Sequence, residues 1–289
     1  MRIAESELII NGDGSVFHLH IRPEQLADTV IMFGDPSRLQ MVLSLMDSVE
    51  VQGQSREFAF ATGTYRGKRI TALSHGIGPD NIDIVMTELD ALANVDFSTR
   101  EVKPEHRRLT IVRIGTCGAI QPDIPLGSFI ASHISIGCDA MFNWYRNRDK
   151  VCLPDFEEAF KEHCNWAEHV PDPYFVRASA RLIKLFRNDT VKGMTVSAGG
   201  FYGPQGRVVR QKLAMPRMLE DFESFRYKGW KVTNFEMEGA ALAAMARSLG
   251  HDAITVCCAI AHRYLKDANT DYKPRVAELV KMVLDKVSG

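Results

Sequence analysis

Short apolar runs alternate along this chain with segments of helical period, and glycine-bearing turns separate them. Positions 30–33 predict a buried strand, followed by Gly34-Asp35-Pro36 and an amphipathic segment over 37–46. Positions 56–66 alternate and carry aromatics, as a hairpin strand does. The next strand, 68–73, leads into the turn Ser74-His75-Gly76-Ile77-Gly78-Pro79, and a helical period follows over 81–92. The β-branched run 109–114 predicts a strand that passes into a turn at Gly115-Thr116-Cys117-Gly118, with another strand over 128–136. Farther on, 178–186 reads as a helix, 191–196 as a strand, 211–227 as a charged helix and 232–235 as a short strand. Positions 238–249 form an alanine-rich helical pattern closed by Gly250. A strand over 253–261 and an amphipathic helix over 275–287 complete the chain.

This β–α alternation predicts an α/β protein with a largely parallel or mixed central sheet. The 289 residues, 45% of them hydrophobic, supply ample core. No linker, repeat or low-complexity stretch interrupts them, so a single domain over 1–289 is expected. The stretch 139–172, aromatic and charged without clear period, reads as an insertion or a long surface excursion.

Composition narrows the partners. With 35 basic and 36 acidic side chains the net charge is -1, so the overall field gives no reason to expect nucleic acid or an acidic membrane surface. A local cluster of arginines for a small anion stays compatible with that balance. The N-terminal residues lack a continuous apolar segment of the signal-peptide kind, and the longest near-apolar run, 253–261, is far shorter than the ~20 residues of a membrane span. Six cysteines without CxxC spacing read as reduced, mostly buried thiols of a cytoplasmic protein. Cys257 and Cys258 are adjacent and would point to opposite faces of a strand, and His18 and His20 lack a third ligand nearby, so no metal site is expected.

Glycine-rich turns directly after strands are where open α/β sheets bind ligands. Gly34-Asp35-Pro36-Ser37-Arg38 is one such turn, and Arg113-Ile114-Gly115-Thr116-Cys117-Gly118 is another. Exposed backbone N–H groups, a guanidinium and a hydroxyl together suit an anion. Each turn by itself equally fits a plain tight turn with a salt-bridged arginine, and neither has the Gly-Lys-Ser/Thr ending of a P-loop. Asn234-Phe235-Glu236-Met237-Glu238 sets two carboxylates where a strand becomes a helix. They suit sugar hydroxyls, or are ordinary acids at a helix N-terminus. Phe201-Tyr202-Gly203-Pro204-Gln205-Gly206-Arg207 groups an aromatic ring, an amide and a guanidinium, which suits a planar heterocycle or a surface loop.

In this order the segments resemble the nucleoside phosphorylase family, and most closely its uridine phosphorylase branch. The resemblance runs from Ser15-Val16-Phe17-His18-Leu19 through the segments quoted, Ser55-Arg56-Glu57-Phe58 and Gly76-Ile77-Gly78 to His262-Arg263. It covers most of the chain outside 139–172. It implies a three-layer α/β/α fold and assigns roles by position. Gly34, Arg38, Arg113 and Thr116 match the phosphate cradle, Thr116 also lying toward the ribose. Arg56 matches an arginine that reaches phosphate from a neighbouring subunit, and His18 a residue placed by that subunit near the ribose 5′-hydroxyl. Glu236, Met237 and Glu238 match the ribose floor. Phe201 packs on the base, Gln205 and Arg207 read the uracil edge, and Arg263 supports them.

The implied reaction is phosphorolysis of uridine to uracil and ribose 1-phosphate. Inorganic phosphate is co-substrate, no cofactor or metal is required, and Arg207, Gln205, Glu238 and Arg113 carry the chemistry. Purine-specific relatives place an aspartate where this chain has His262; histidine titrates near neutral pH, so His262 either tunes base preference or is a polar residue at the pocket rim. Gly239 stands where a small hydroxyl residue is common in the family, with little effect expected. The competing readings are a purine nucleoside phosphorylase or a nucleosidase on the same fold, and a non-catalytic nucleoside-binding or storage protein. The resemblance implies a homodimer as the minimal active unit. A hexamer, and the acceptance of thymidine or deoxyuridine, stay open.

Overall fold

The apolar runs assemble into one mixed sheet in a computed structural model that describes residues 2–289. Its strands are β1 (Thr29–Phe33), β2 (Ser48–Ser55), β3 (Phe58–Tyr65), β4 (Lys68–Ser74), β5 (Thr110–Ala119), β6 (Phe129–Cys138), β7 (Tyr174–Arg177), β8 (Val191–Ala198), β9 (Asn234–Glu236), β10 (Asp252–His262) and β11 (Asp267–Ala268). They run in the order β11-β10-β6-β8-β9-β5-β1-β4-β3-β2, with β7 paired to β6. Strand β10 also pairs with β5, so β5, β10, β6, β8 and β9 close a ring, and β1, β4, β3 and β2 extend from it as an open sheet.

Strand β1 is buried at every residue because it pairs in parallel with β4 on one side and β5 on the other while helices cover both faces. Its side chains alternate between two apolar clusters. Val30 and Met32 join α2 (Pro79–Asn94) and α7 (Gly239–Leu249) on one face. Ile31 and Phe33 join α1 (Leu39–Leu43), α5 (Ala180–Phe186) and α8 (Lys273–Ser288) on the other. The result is the expected three-layer α/β/α arrangement around a mixed sheet. Among the described residues no helix is long and apolar enough to cross a membrane.

Three local expectations need correction. The turn expected at Gly115-Thr116-Cys117-Gly118 is strand: β5 continues to Ala119. Glycine is required there for close approach, because a Cβ on Gly115 would lie 2.8 Å from Cys257 Sγ and one on Gly118 2.9 Å from Arg263 Cγ. The helix expected over 211–227 shrinks to α6 (Met218–Ser224). Pro216 disfavours helical backbone at the residue before it, and beyond the helix Lys228 and Gly229, both at positive φ, turn a hairpin of Arg226–Tyr227 with Trp230–Lys231. The stretch 139–172, expected to be an insertion or a long surface excursion, contributes to the core. It contains the helices α3 (Arg148–Val151) and α4 (Pro154–His163), and Phe156 and Phe160 of α4 pack in the core against Phe175, Phe222 and Phe225.

Candidate active site

A cleft of about 720 Å³ opens where β1 and β4 end and β5 and β9 pass beneath. Ten of the residues singled out in the sequence line it: Gly34, Arg38, Arg113, Thr116, Phe201, Gln205, Arg207, Glu236, Met237 and Glu238. Residues the sequence reading gave no role also line it, among them Glu57, Asn81 and Tyr272.

Arg113 is the hub. It points inward from β5, 4% exposed, and every branch of its guanidinium is held. Nε donates to His75 Nε2 at 3.1 Å, Nη1 to Glu236 Oε2 at 2.8 Å, and Nη2 to Glu238 Oε2. Burial alone would lower its pKa, but the Glu238 and Glu236 carboxylates outweigh that and the net shift is upward. His75 is fully buried beside Arg113 and Arg38, and burial followed by those two cations pushes its pKa well below 6.5. It is therefore a neutral ring whose Nε2 accepts from Arg113.

The two carboxylates differ in their freedom. Glu236 is saturated: it takes Arg113, the Ser197 hydroxyl from the neighbouring strand, and the backbone N–H groups of Glu238 and Gly239 at 2.9 Å. The register that sets Ser197 of β8 opposite Glu236 of β9 makes this possible. Gly239 has little room for a side chain, since a Cβ there would meet Glu236 Oε1 at 3.0 Å and Thr255 Oγ1 at 3.1 Å. Glu238 takes Arg113 and the Gly78 N–H at 2.8 Å, which leaves acceptor capacity on the cleft side. Its pKa is raised, by burial above all, against the opposing pull of Arg113.

Arg38 starts from the turn after β1, where Asp35 accepts the Ser37 N–H at 2.9 Å. It is buried and donates to the Ile114 carbonyl at 3.3 Å. Among the described residues it forms no salt bridge, and burial together with the nearby Arg113 lowers its pKa. A buried cation beside a second cation is complemented by an anion.

At the other end of the cleft Arg207 lies over the Phe201 ring, 3.8 Å from its centroid, and Nη1 donates to Gln205 Oε1 at 2.6 Å. Arg263 does not line the cleft, but it stands behind this group with its guanidinium carbon 5.8 Å from the centre of the Phe235 ring. Burial and then Arg207 push the Arg263 pKa down to about 10, and its Nη1 is buried without a partner among the described residues.

The phosphorylase superfamily model matches residues 28–287.

The chain belongs to the phosphorylase superfamily. It is 28% identical over 257 residues to a uridine phosphorylase of Thermococcus kodakarensis, covering 87% of this chain and 79% of that one. A Trypanosoma brucei nucleoside phosphorylase reported to show uridine phosphorylase activity superposes with a TM-score of 0.89 at 28% identity, over 98% of this chain and all of that one. A Toxoplasma gondii purine nucleoside phosphorylase shares the fold with a TM-score of 0.67 at 19% identity, over 97% of this chain and 98% of that one.

In this member of the superfamily three further predicted site residues, besides Arg263, lie apart from the cleft of their own chain. Arg56 is exposed, at φ 53° in the turn between β2 and β3. His18 sits on an N-terminal turn with Nδ1 2.6 Å from Glu88 Oε1. His262 is buried and fully engaged by backbone: the Leu265 N–H donates to Nδ1 and Nε2 faces the Gln121 carbonyl at 2.9 Å. That leaves it no free atom for a base, so the expectation of a base-tuning or rim role is not supported by its position.

One further group of phosphorylase side chains comes close enough to suggest a metal: Asp90, His106 and His251. The Leu109 N–H donates to His251 Nδ1, so Nε2 carries the proton and gives it to Asp90 Oδ1 at 3.1 Å. His106 Nε2 is turned to the Leu249 carbonyl at 2.9 Å. These are hydrogen-bonding roles at the base of α7, and the protonated Nε2 of His251 opposes ligation.

Proposed function

We propose that this phosphorylase is a uridine phosphorylase, acting on uridine and related pyrimidine nucleosides with inorganic phosphate. The observation that carries the reading is the division of one cleft into an arginine end, a carboxylate middle and an amide–guanidinium–aromatic end. Phosphate fits between Arg38, Arg113, Thr116 and the backbone at Gly34. The ribose lies over Met237 with its hydroxyls on Glu238, and the pyrimidine packs on Phe201 with its edge toward Gln205 and Arg207. The uridine phosphorylases among its relatives support this base choice.

On this reading a phosphate oxygen bonds to the anomeric carbon as the C–N bond breaks. The ribose passes through an oxocarbenium-like state, and the bonding pair leaves on uracil, which gains negative charge and then a proton. Donors aimed at that charge are worth most in a water-poor site. Gln205 and Arg207 supply them, and Arg263 adds positive potential behind.

Charge balance supports a second chain. In the inner cleft Arg38 and Arg113 are cancelled by Glu236 and Glu238, so bound phosphate needs a further cation. Arg56, exposed and away from its own cleft, meets that need if a partner subunit presents it, and His18 reaches the partner's ribose in the same way. A homodimer is then the minimal active unit, by the commonest symmetry of soluble oligomers. We place the protein in cytoplasmic pyrimidine salvage, and read 1–289 as one domain.

The test is uracil release from uridine with and without phosphate. Release that requires phosphate and yields ribose 1-phosphate supports the proposal. Release without phosphate would make the protein a nucleosidase, and preference for inosine would make it a purine enzyme.

A further inference from the structure

Glu88 is a carboxylate buried at 7% exposure in the middle of α2, and among the described residues all its hydrogen bonds go to one two-residue segment. The His18 N–H donates to Oε1 at 3.0 Å and to Oε2 at 3.1 Å, and the Leu19 N–H donates to Oε2 at 2.9 Å. His18 Nδ1 approaches Oε1 at 2.6 Å. No lysine or arginine pairs with Glu88 among the described residues. A buried carboxylate without a cationic partner is costly unless its lone pairs are filled. Here they are filled by the very turn that carries His18.

The ring is fixed from other sides as well. It meets Phe17 edge-on at 4.8 Å and Phe58 edge-on at 6.4 Å between centroids. Leu19, next in the chain, is fully buried and anchors the turn in the core. Only 27% of the His18 side chain remains exposed. With Nδ1–H committed to the carboxylate, Nε2 is the ring atom left to meet an incoming hydroxyl.

We infer that Glu88 is the positioning residue for His18: it sets the conformation of the 16–20 turn and the tautomer of the ring, and thereby the recognition of the nucleoside 5′-hydroxyl. This rests on the reading above, in which His18 serves the neighbouring subunit's ribose. Glu88 touches no substrate and acts only through His18.

The experiment compares kcat/KM for uridine and 5′-deoxyuridine in the wild type, His18→Ala and Glu88→Gln, with thermal melting of each. The wild type is expected to prefer uridine by about tenfold, the worth of one good hydrogen bond. His18→Ala brings that ratio to within about twofold of one. Glu88→Gln does the same, because its amide group would set N–H donors against the Leu19 and His18 N–H groups. A merely structural role would lower both substrates in parallel and keep the ratio. A ratio kept in Glu88→Gln but lost in His18→Ala overturns the inference. A ratio unchanged in both variants overturns the role of His18 itself. If Glu88→Gln does not fold, the ¹⁵N shifts of His18 in the wild-type protein decide at about pH 9: a ring protonated on Nδ1 is expected, and one protonated on Nε2 overturns the inference.

Discussion

Arg113 and Glu238 pair across the floor of the cleft, the guanidinium from β5 and the carboxylate from the start of α7, each about 5% exposed at its side chain. Glu236 holds the opposite side of the same guanidinium. The pairing keeps the inner cleft neutral until an anion arrives. Glu238→Ala is therefore expected to cost up to about 3 kcal/mol of stability, at the low end for breaking a buried pair because Glu236 stays in place. Urea unfolding measures this. Phosphate should raise the melting temperature of the variant by more than it raises that of the wild type, since the variant carries an uncompensated cation.

The amide and guanidinium at the base end give a second expectation. Gln205→Ala should lower kcat/KM for uridine by about 10²–10³, the usual loss for one donor aimed at developing charge. Arg207→Ala should do at least as much, because it also removes the cation over the Phe201 ring. Steady-state kinetics with uridine and inosine would check both. A loss for uridine with no loss for inosine is the expected pattern.

Arg56 separates one-chain from two-chain sites. It is exposed, so Arg56→Gly should leave stability within about 0.5 kcal/mol or raise it slightly, glycine being at ease at φ 53°. The KM for phosphate should nonetheless rise tenfold or more, by about 1.4 kcal/mol of lost binding. A phosphate KM unchanged in this variant would return the site to a single chain.

Much of this site was legible because chemistry and local geometry coincided. Gly34, Arg38, Glu236 and Glu238 sit where strands end, and strand ends can be read from apolar runs. What escaped depended on partners distant in sequence. Gly115 and Gly118 look like turn glycines, yet each serves a close approach to another strand or side chain. Strand β2 alternates exposed with half-buried residues and lacks an apolar face, as an edge strand does. Glu88 reads as one more polar position of an amphipathic helix; only the fold brings it to His18, seventy residues away.

Asp139, just past β6, gives a pH prediction. Burial raises its pKa from 3.8 to about 6, although the Met141 N–H and the Tyr174 hydroxyl both donate to Oδ1. A pKa raised on folding adds stability that is complete below 3.8 and lost as pH rises through about 6. The rise corresponds to about 3 kcal/mol. Asp139→Asn keeps the acceptor and removes the charge. It should melt higher than the wild type at pH 8, and the difference should vanish near pH 4. Melting curves across that range measure it.

Two residues held outside the cleft of their own chain have a genetic consequence. On the two-chain reading each subunit lends Arg56 and His18 and borrows its neighbour's, so a defect in lending and a defect in receiving are different lesions. Arg113→Ala spoils the receiving cleft, and Arg56→Gly spoils the lending turn. When the two variants are mixed and reassociate at random, about one quarter of the clefts combine a sound floor with a sound arginine. Two alleles that are each defective alone would then partly complement one another in a single cell.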